Sequence, residues 1–167
     1  MLTKNYLIVF KSLLLMIVMS VFVTACNKAS EDTEVKEVEI SVPTLSDKNI
    51  REFSAKMAKD YNNNLNSLMD GYNQAKKVDN AYAFMSYRNN KWTPIYIKQK
   101  DYYQKVFEQN KSYLSHSASK PLFEKFEGLI YIGIDLKNAF LDEDKAKLQE
   151  VLAVINEDKK IVKSIVK

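Results

Sequence analysis

Cysteine, histidine, tryptophan, glycine and proline are all scarce in this chain. Its 167 residues hold one cysteine, one histidine, one tryptophan, three glycines and three prolines. A single cysteine, Cys26, rules out a disulfide within the chain, so the core has to be built by packing. One histidine, His116, cannot form a His/Cys metal cluster, and no Glu-x-x-His pair offers a carboxylate centre. No metal and no cofactor is expected. So few turn-forming residues argue against an all-β fold. There is no Gly-x-Ser-x-Gly elbow and no phosphate-binding loop. The longest apolar stretch, Leu13 to Val23, is about 11 residues, where a membrane span needs about 20.

That stretch has a recognisable setting. Lys4 and Lys11 precede or enter it, no acid opposes them, and Val23-Thr24-Ala25-Cys26 follows. A positive start, an apolar core and small residues before a cut make a secretory signal peptide. Ending on cysteine, the segment resembles the lipobox signal of bacterial lipoproteins. The resemblance covers residues 1–26 and implies cleavage between Ala25 and Cys26. It further implies a diacylglyceryl group on the Cys26 sulfur and a fatty acyl chain, palmitate in type, on the freed amine. The thiolate is the nucleophile that such attachment requires. One acyl chain binds a membrane only marginally, whereas two or three hold it essentially permanently. In enteric lipoproteins an aspartate after the cysteine tends to retain the protein in the inner membrane. Asn27 at that position implies the outer membrane, on its periplasmic side, if the host is Gram-negative.

Without residues 1–25 the chain keeps 142 residues, enough for one domain with a real core. Residues 27–47 carry six acids and two lysines, a net of −4, while residues 48–167 carry a net of +6. The basic residues are spread along the chain and not clustered, so they read as a solvated surface; a seat against anionic lipid or cell-wall polymer is the alternative, and no nucleic-acid partner is expected. The segment 26–46 reads as a lipidated, acidic, flexible tether, poor in apolar residues until Val35, Val38, Ile40 and Val42. Twenty such residues reach about 25 Å.

The domain expected at 47–167 is helical. From a start near Ser46, apolar residues recur at Ile50, Phe53, Met57, Tyr61, Leu65, Leu68, Tyr72 and Ala75, the stripe of an amphipathic helix. Gly71 inside it suggests a bend, and Asn62, Asn63, Asn64 and Asn66 read as its solvated face. Val78–Tyr87 predicts a shorter helix, broken by Arg88-Asn89-Asn90-Lys91. Thr93-Pro94 then opens a third, reaching about Ser115. Its buried side is expected to hold Ile95, Tyr102 or Tyr103, Val106, Phe107, Asn110 and Leu114.

Pro121 opens the most apolar segment, Leu122–Phe140. Its run Leu129–Ile134 fits strand or helix by periodicity, and helix is preferred because no second strand exists to pair with it. Gly128 and Gly133 would let a neighbour approach closely. Asp142-Glu143-Asp144 opens the last helix and Lys159, Lys160, Lys163 and Lys167 close it, both in accord with the helix dipole. Its buried side runs through Leu148, Val151, Leu152, Ile155, Val162, Ile165 and Val166. The expected architecture is an all-α antiparallel bundle of about four main helices behind a flexible N-terminal tether.

Tyrosine is the abundant oddity, with nine after residue 26. Its apolar ring and polar tip suit binding surfaces. Tyr82, Tyr87, Trp92, Tyr96, Tyr102 and Tyr103 are the candidate surface for a glycan, peptide or partner helix; the alternative is that these rings pack the bundle margin. His116, between two serines, reads as a loop residue, and Asp135 as an outward-facing acid. The expected function is a membrane-anchored envelope lipoprotein, held by lipid on Cys26, whose non-enzymatic domain binds or blocks an envelope protein or glycan. A structural or maintenance lipoprotein is the alternative, and a wall or lipid hydrolase using Asp135 a third.

Overall fold

The computed structural model describes residues 41–167, and no strand occurs among them. The signal segment, the lipobox at Val23–Cys26 and the tether up to residue 40 lie outside the described residues. Helix α1 spans Ile50–Lys77. The Ser46 carbonyl accepts the Ile50 N–H at 2.9 Å and closes a leading turn, but the helix itself starts at Ile50 with Asn49 at the cap position, three residues beyond Ser46. Asn49 holds that turn: its Oδ1 accepts the Ser46 N–H at 2.8 Å and its Nδ2 donates to the Thr44 carbonyl at 2.9 Å. Met57, Tyr61, Leu65, Leu68, Tyr72 and Ala75 are buried, and Ile50 and Phe53 pack at the core's edge.

The end of the expected tether is part of this unit. Leu45 is buried, and Asn110 clamps the strip: its Oδ1 accepts the Leu45 N–H and its Nδ2 donates to the Pro43 carbonyl at 2.9 Å. Asn110 was expected to be buried, and this pairing is what satisfies its amide.

Helix α2 spans Ala81–Tyr87, capped by the Asn80 side chain, which accepts the Ala83 N–H at 2.9 Å. The expected break at Arg88–Lys91 does not occur. Arg88–Trp92 is instead one π-helical turn, running directly into α3, Thr93–Gln109. The Thr93 N–H reaches back five residues to the Arg88 carbonyl. Pro94 supplies a reason: it has no N–H to continue an α-ladder, and its ring would clash with the carbonyl four residues back. Widening the turn removes that clash and keeps the rod continuous.

The wider turn also changes which residues face inward. Trp92, Tyr96, Tyr103, Val106, Asn110 and Leu114 are buried, whereas Ile95, expected in the core, is 61% exposed. After Gln109 the chain makes a short helix α4, Lys111–Leu114, then turns into α5, Lys120–Leu141, with Pro121 in its first turn. Leu129–Ile134 is helix, as preferred. Helix α6, Lys145–Ile165, is capped by Asp144, whose carboxylate accepts the Lys147 N–H at 2.9 Å.

Among the described residues the four main helical bodies are α1, the α2–π–α3 rod, α5 and α6. Helix α5 lies at the centre and packs on each of the others. Its apolarity follows from that position. One surprise sits on α6: Asp158, between Ile155 and Val162, is only 5% exposed and pairs with Lys125 of α5 at 2.7 Å. Nearby Tyr61 has no hydrogen-bond partner for its hydroxyl among the described residues, and burial, aided by the Asp158 charge, raises its pKa.

The glycines divide sharply. A Cβ on Gly71 would fall 2.2 Å from two ring atoms of Tyr87, so this glycine seats a ring against α1. A Cβ on Gly133 would meet the Arg88 Nε at 3.1 Å and the Trp92 ring at 3.4 Å, so the expected close approach occurs there. Nothing lies within 4 Å of a Cβ on Gly128, so the same expectation fails at that position. Gly71→Ala is therefore expected to destabilise the domain by about 1–2 kcal/mol, as overpacking outweighs the gain in helix propensity. Gly128→Ala is expected to stabilise it by about 0.5–1 kcal/mol. Equilibrium urea unfolding checks both signs.

Candidate functional site

The six aromatic residues expected to share one surface are divided between core and solvent. Trp92, Tyr96 and Tyr103 are core residues. The Trp92 indole N–H donates to the Asn64 carbonyl at 2.9 Å. The Tyr96 hydroxyl reaches the Phe126 and Glu127 carbonyls at 3.1 and 2.8 Å. Burial raises the pKa of Tyr96 and of Tyr103, so both hydroxyls stay protonated donors. Trp92 stacks on Tyr96 at 4.8 Å between ring centroids, Tyr96 stacks on Phe126 at 6.0 Å, and Tyr103 tilts against Phe126 at 4.7 Å. Each such contact contributes about 0.5–1.5 kcal/mol beyond its area burial. These rings join α3 to α5, and the reading of them as a binding surface is corrected accordingly. Of the remaining three, Tyr87 lies over Gly71 and donates to the Ser67 carbonyl at 2.9 Å, Tyr82 is 70% exposed, and Tyr102 is half-buried.

Tyr102 belongs to a groove between α1 and α3. Lys56, Asp60, Ile95, Lys98, Gln99, Tyr102 and Tyr103 line it, and it runs on past Ile95 and Gln99 towards Asn63 and Ser67. Its floor is fixed by two side-chain bridges across the helices. The Tyr103 hydroxyl donates to the Asp60 carboxylate at 2.6 Å, and Asn64 Nδ2 donates to Gln99 Oε1 at 2.6 Å. Lys56 closes the network, 3.6 Å from Asp60 and 5.6 and 5.8 Å above the Tyr102 and Tyr103 rings. The groove therefore presents an exposed isoleucine, a tyrosine edge, two amides and a lysine–aspartate pair. Such a set forms hydrogen bonds and apolar contacts, and contains no nucleophile–base pair.

Asn64 corrects the solvated reading of the asparagine face, since it is buried and bonded while Asn62, Asn63 and Asn66 are exposed. The signal for it was available: Asn64 lies three residues after Tyr61 and four before Leu68, on the apolar stripe. Asp158 carries the same signal, filling the seven-residue gap between Ile155 and Val162. Asp60 and Gln99 lie beside stripes and had no such mark.

A second cleft opens on the other flank of α3, against α5. Tyr103, Phe107, Phe123 and Phe126 form its aromatic floor, and Glu108, Glu124 and Glu127 stand around it with Lys100 and Gln104.

The other sequence candidates are accounted for. His116 is exposed, its Nδ1 2.9 Å from the neighbouring Ser115 hydroxyl. Asp135 lies 4.0 Å from Lys147 on the surface between α5 and α6. Among the described residues no group of three or more His, Cys, Asp or Glu side chains is placed to hold a metal ion. Among the same residues no helix is long and apolar enough to cross a membrane. Comparison with protein-family models, curated proteins and solved structures finds no match.

Tyr103→Phe removes the bond to Asp60 while keeping the ring. It is expected to cost about 1–2 kcal/mol, because the acceptor is charged and half-buried. Tyr102→Phe is expected to stay within about 0.5 kcal/mol of the parent. Thermal and urea denaturation of the two variants side by side separates them.

Proposed function

We propose that this chain is a cell-envelope lipoprotein whose helical domain is a non-enzymatic binding module for an envelope partner. Export and cleavage before Cys26 follow from the resemblance of Val23-Thr24-Ala25-Cys26 to a lipobox. Lipid on Cys26 then supplies the membrane hold. With Asn27 after the cysteine, the outer membrane is the favoured site in a Gram-negative host.

The observation that carries the binding reading is the α1–α3 groove. Its floor is pre-set by the Tyr103–Asp60 and Asn64–Gln99 bridges, so a ligand need not order it. Its wall exposes Ile95 at 61%, an apolar contact beside the Tyr102 ring and the polar floor. Fixed polar groups beside a few apolar anchors are the usual composition of a recognition site. The partner is a glycan or protein segment of the envelope. The aromatics Trp92 and Tyr96 are buried, so variants there would report on folding.

Two measurements test the two halves. Cys26→Ser is expected to release the protein from the membrane fraction and to remove the lipid from its intact mass. Equal membrane retention with unchanged processing would contradict the anchor. A photo-crosslinking residue at position 102 is expected to give a discrete adduct in cells, and the same residue at position 154, on the exposed face of α6, is expected to give none. Identical adduct patterns at both positions, or none at 102, would contradict the groove.

A further inference from the structure

We propose that the cleft between α3 and α5 is a seat for a lysine side chain of a partner protein. This deepens the reading of the domain as a binding module by giving the partner a chemistry, and it rests on that reading for its cellular setting.

The size of the cleft comes first. It encloses about 190 Å³, below the roughly 300–1,000 Å³ of sites that hold a whole small molecule. One long side chain fits that space. The chemistry of its surfaces comes second. Phe107 is half-buried and lines the cleft with Phe123 and Phe126, which are buried, so an aliphatic stem meets an aromatic floor. Glu108, Glu124 and Glu127 are exposed and stand at the opening.

An apolar side chain entering here would leave those carboxylates partly desolvated without a partner. An acidic one would be repelled. A lysine satisfies both surfaces, laying its methylenes on the rings and its ammonium among the glutamates. Three separate carboxylates suit the three N–H donors of an ammonium; a guanidinium fork is matched best by one bidentate carboxylate.

The charges already present leave room for that ammonium. Lys100 lines the cleft, but it is engaged along α3 with Gln104 at 3.4 Å and Asp101 at 3.9 Å. Glu124 has Lys120 at 3.5 Å in an exposed pair of small value. Glu108 and Glu127 form no ion pair among the described residues. The setting sharpens the contrast, because residues 48–167 carry a net charge of +6. Within a domain of net positive charge the three glutamates make the cleft a local inversion of sign, which favours a basic segment there.

The test titrates the mature protein, in zwitterionic detergent, with hexalysine, hexa-arginine and hexaglutamate, following the phenylalanine ring resonances by NMR. Hexalysine is expected to saturate with shifts at Phe107 and Phe123, and hexaglutamate to leave them unmoved. The double change Glu124→Gln and Glu127→Gln is expected to weaken hexalysine binding at least about tenfold. The charge-matched control Glu150→Gln and Glu157→Gln, on exposed positions of α6, is expected to change it less than about twofold. Equal losses in the two double variants would show a general field effect and overturn the proposal. Tighter binding of hexa-arginine, or shifts that bypass the aromatic floor, would overturn it too. Because the titration needs neither crosslinking nor the lipid, its failure beside a position-102 adduct removes this inference and leaves the binding module standing.

Discussion

A single widened turn governs how the second helical rod meets the rest of the molecule. In an α-helix each residue turns the chain by about 100°, so one extra residue in a turn swings every later side chain round by that amount. Counted as unbroken α-helix from buried Phe84, the inward positions would be Arg88, Lys91, Ile95 and Tyr102. With the π turn at Arg88–Trp92 they become Arg88, Trp92, Tyr96 and Tyr103. Gly133 on the central helix is the counterpart of that turn. The absence of a side chain there is what admits the Arg88 and Trp92 side chains. The turn is costly in polar terms: Arg88 Nε and Thr93 Oγ1 are both buried without a partner among the described residues. Arg88 is 9% exposed, and burial lowers its pKa from the usual value, though a guanidinium stays charged at neutral pH.

The features beside α3 follow from that rotation. Turning Trp92, Tyr96 and Tyr103 inward creates the ring ladder against Phe126 that fixes α3 on α5. The same rotation leaves Ile95 and Tyr102 outside, on the flank towards α1, where the Tyr103–Asp60 and Asn64–Gln99 bridges form a firm floor. On the opposite flank Phe107 is left at the edge of the core beside Phe123, with glutamates from both helices around it. One structural ring, Tyr103, lies under both clefts. The recognition surfaces proposed here are thus by-products of how the core is packed, and their geometry is as rigid as that core.

Much of the fold was legible because it rests on period and capping. The stripe from Met57 to Ala75 and the inward face of α6 are strong 3.6-residue patterns, and packing has no reason to override them. Asp144 caps α6 from within the acidic run that opens it, whereas Asn80 caps α2 from inside the segment Val78–Tyr87 that reads as helix, so that helix starts three residues later than expected. The misreadings share a different cause. Arg88-Asn89-Asn90-Lys91 has the composition of a turn, and nothing local announces that Gly133, 45 positions on, would draw Arg88 inward. Counting a new helix from Pro94 puts Ile95 inside and Tyr96 outside, and does not decide between Tyr102 and Tyr103. Tyrosine invites this error, since its ring and hydroxyl suit core and surface alike. The candidate sites were harder still, because Asp60, Gln99 and Glu127 acquire meaning only when another helix lies opposite.

The register of α3 carries the account, and the sole tryptophan reports on it. Trp92 is 2% exposed, its N–H is bonded to a backbone carbonyl, and Tyr96 covers its face. The direct measurement is its fluorescence in the native protein, with acrylamide as quencher. Emission blue-shifted from that of the unfolded chain and nearly complete protection from quenching are expected. Emission at the unfolded position with free quenching would place Trp92 in solvent, and the widened turn, the ring ladder and both clefts beside α3 would fall with it.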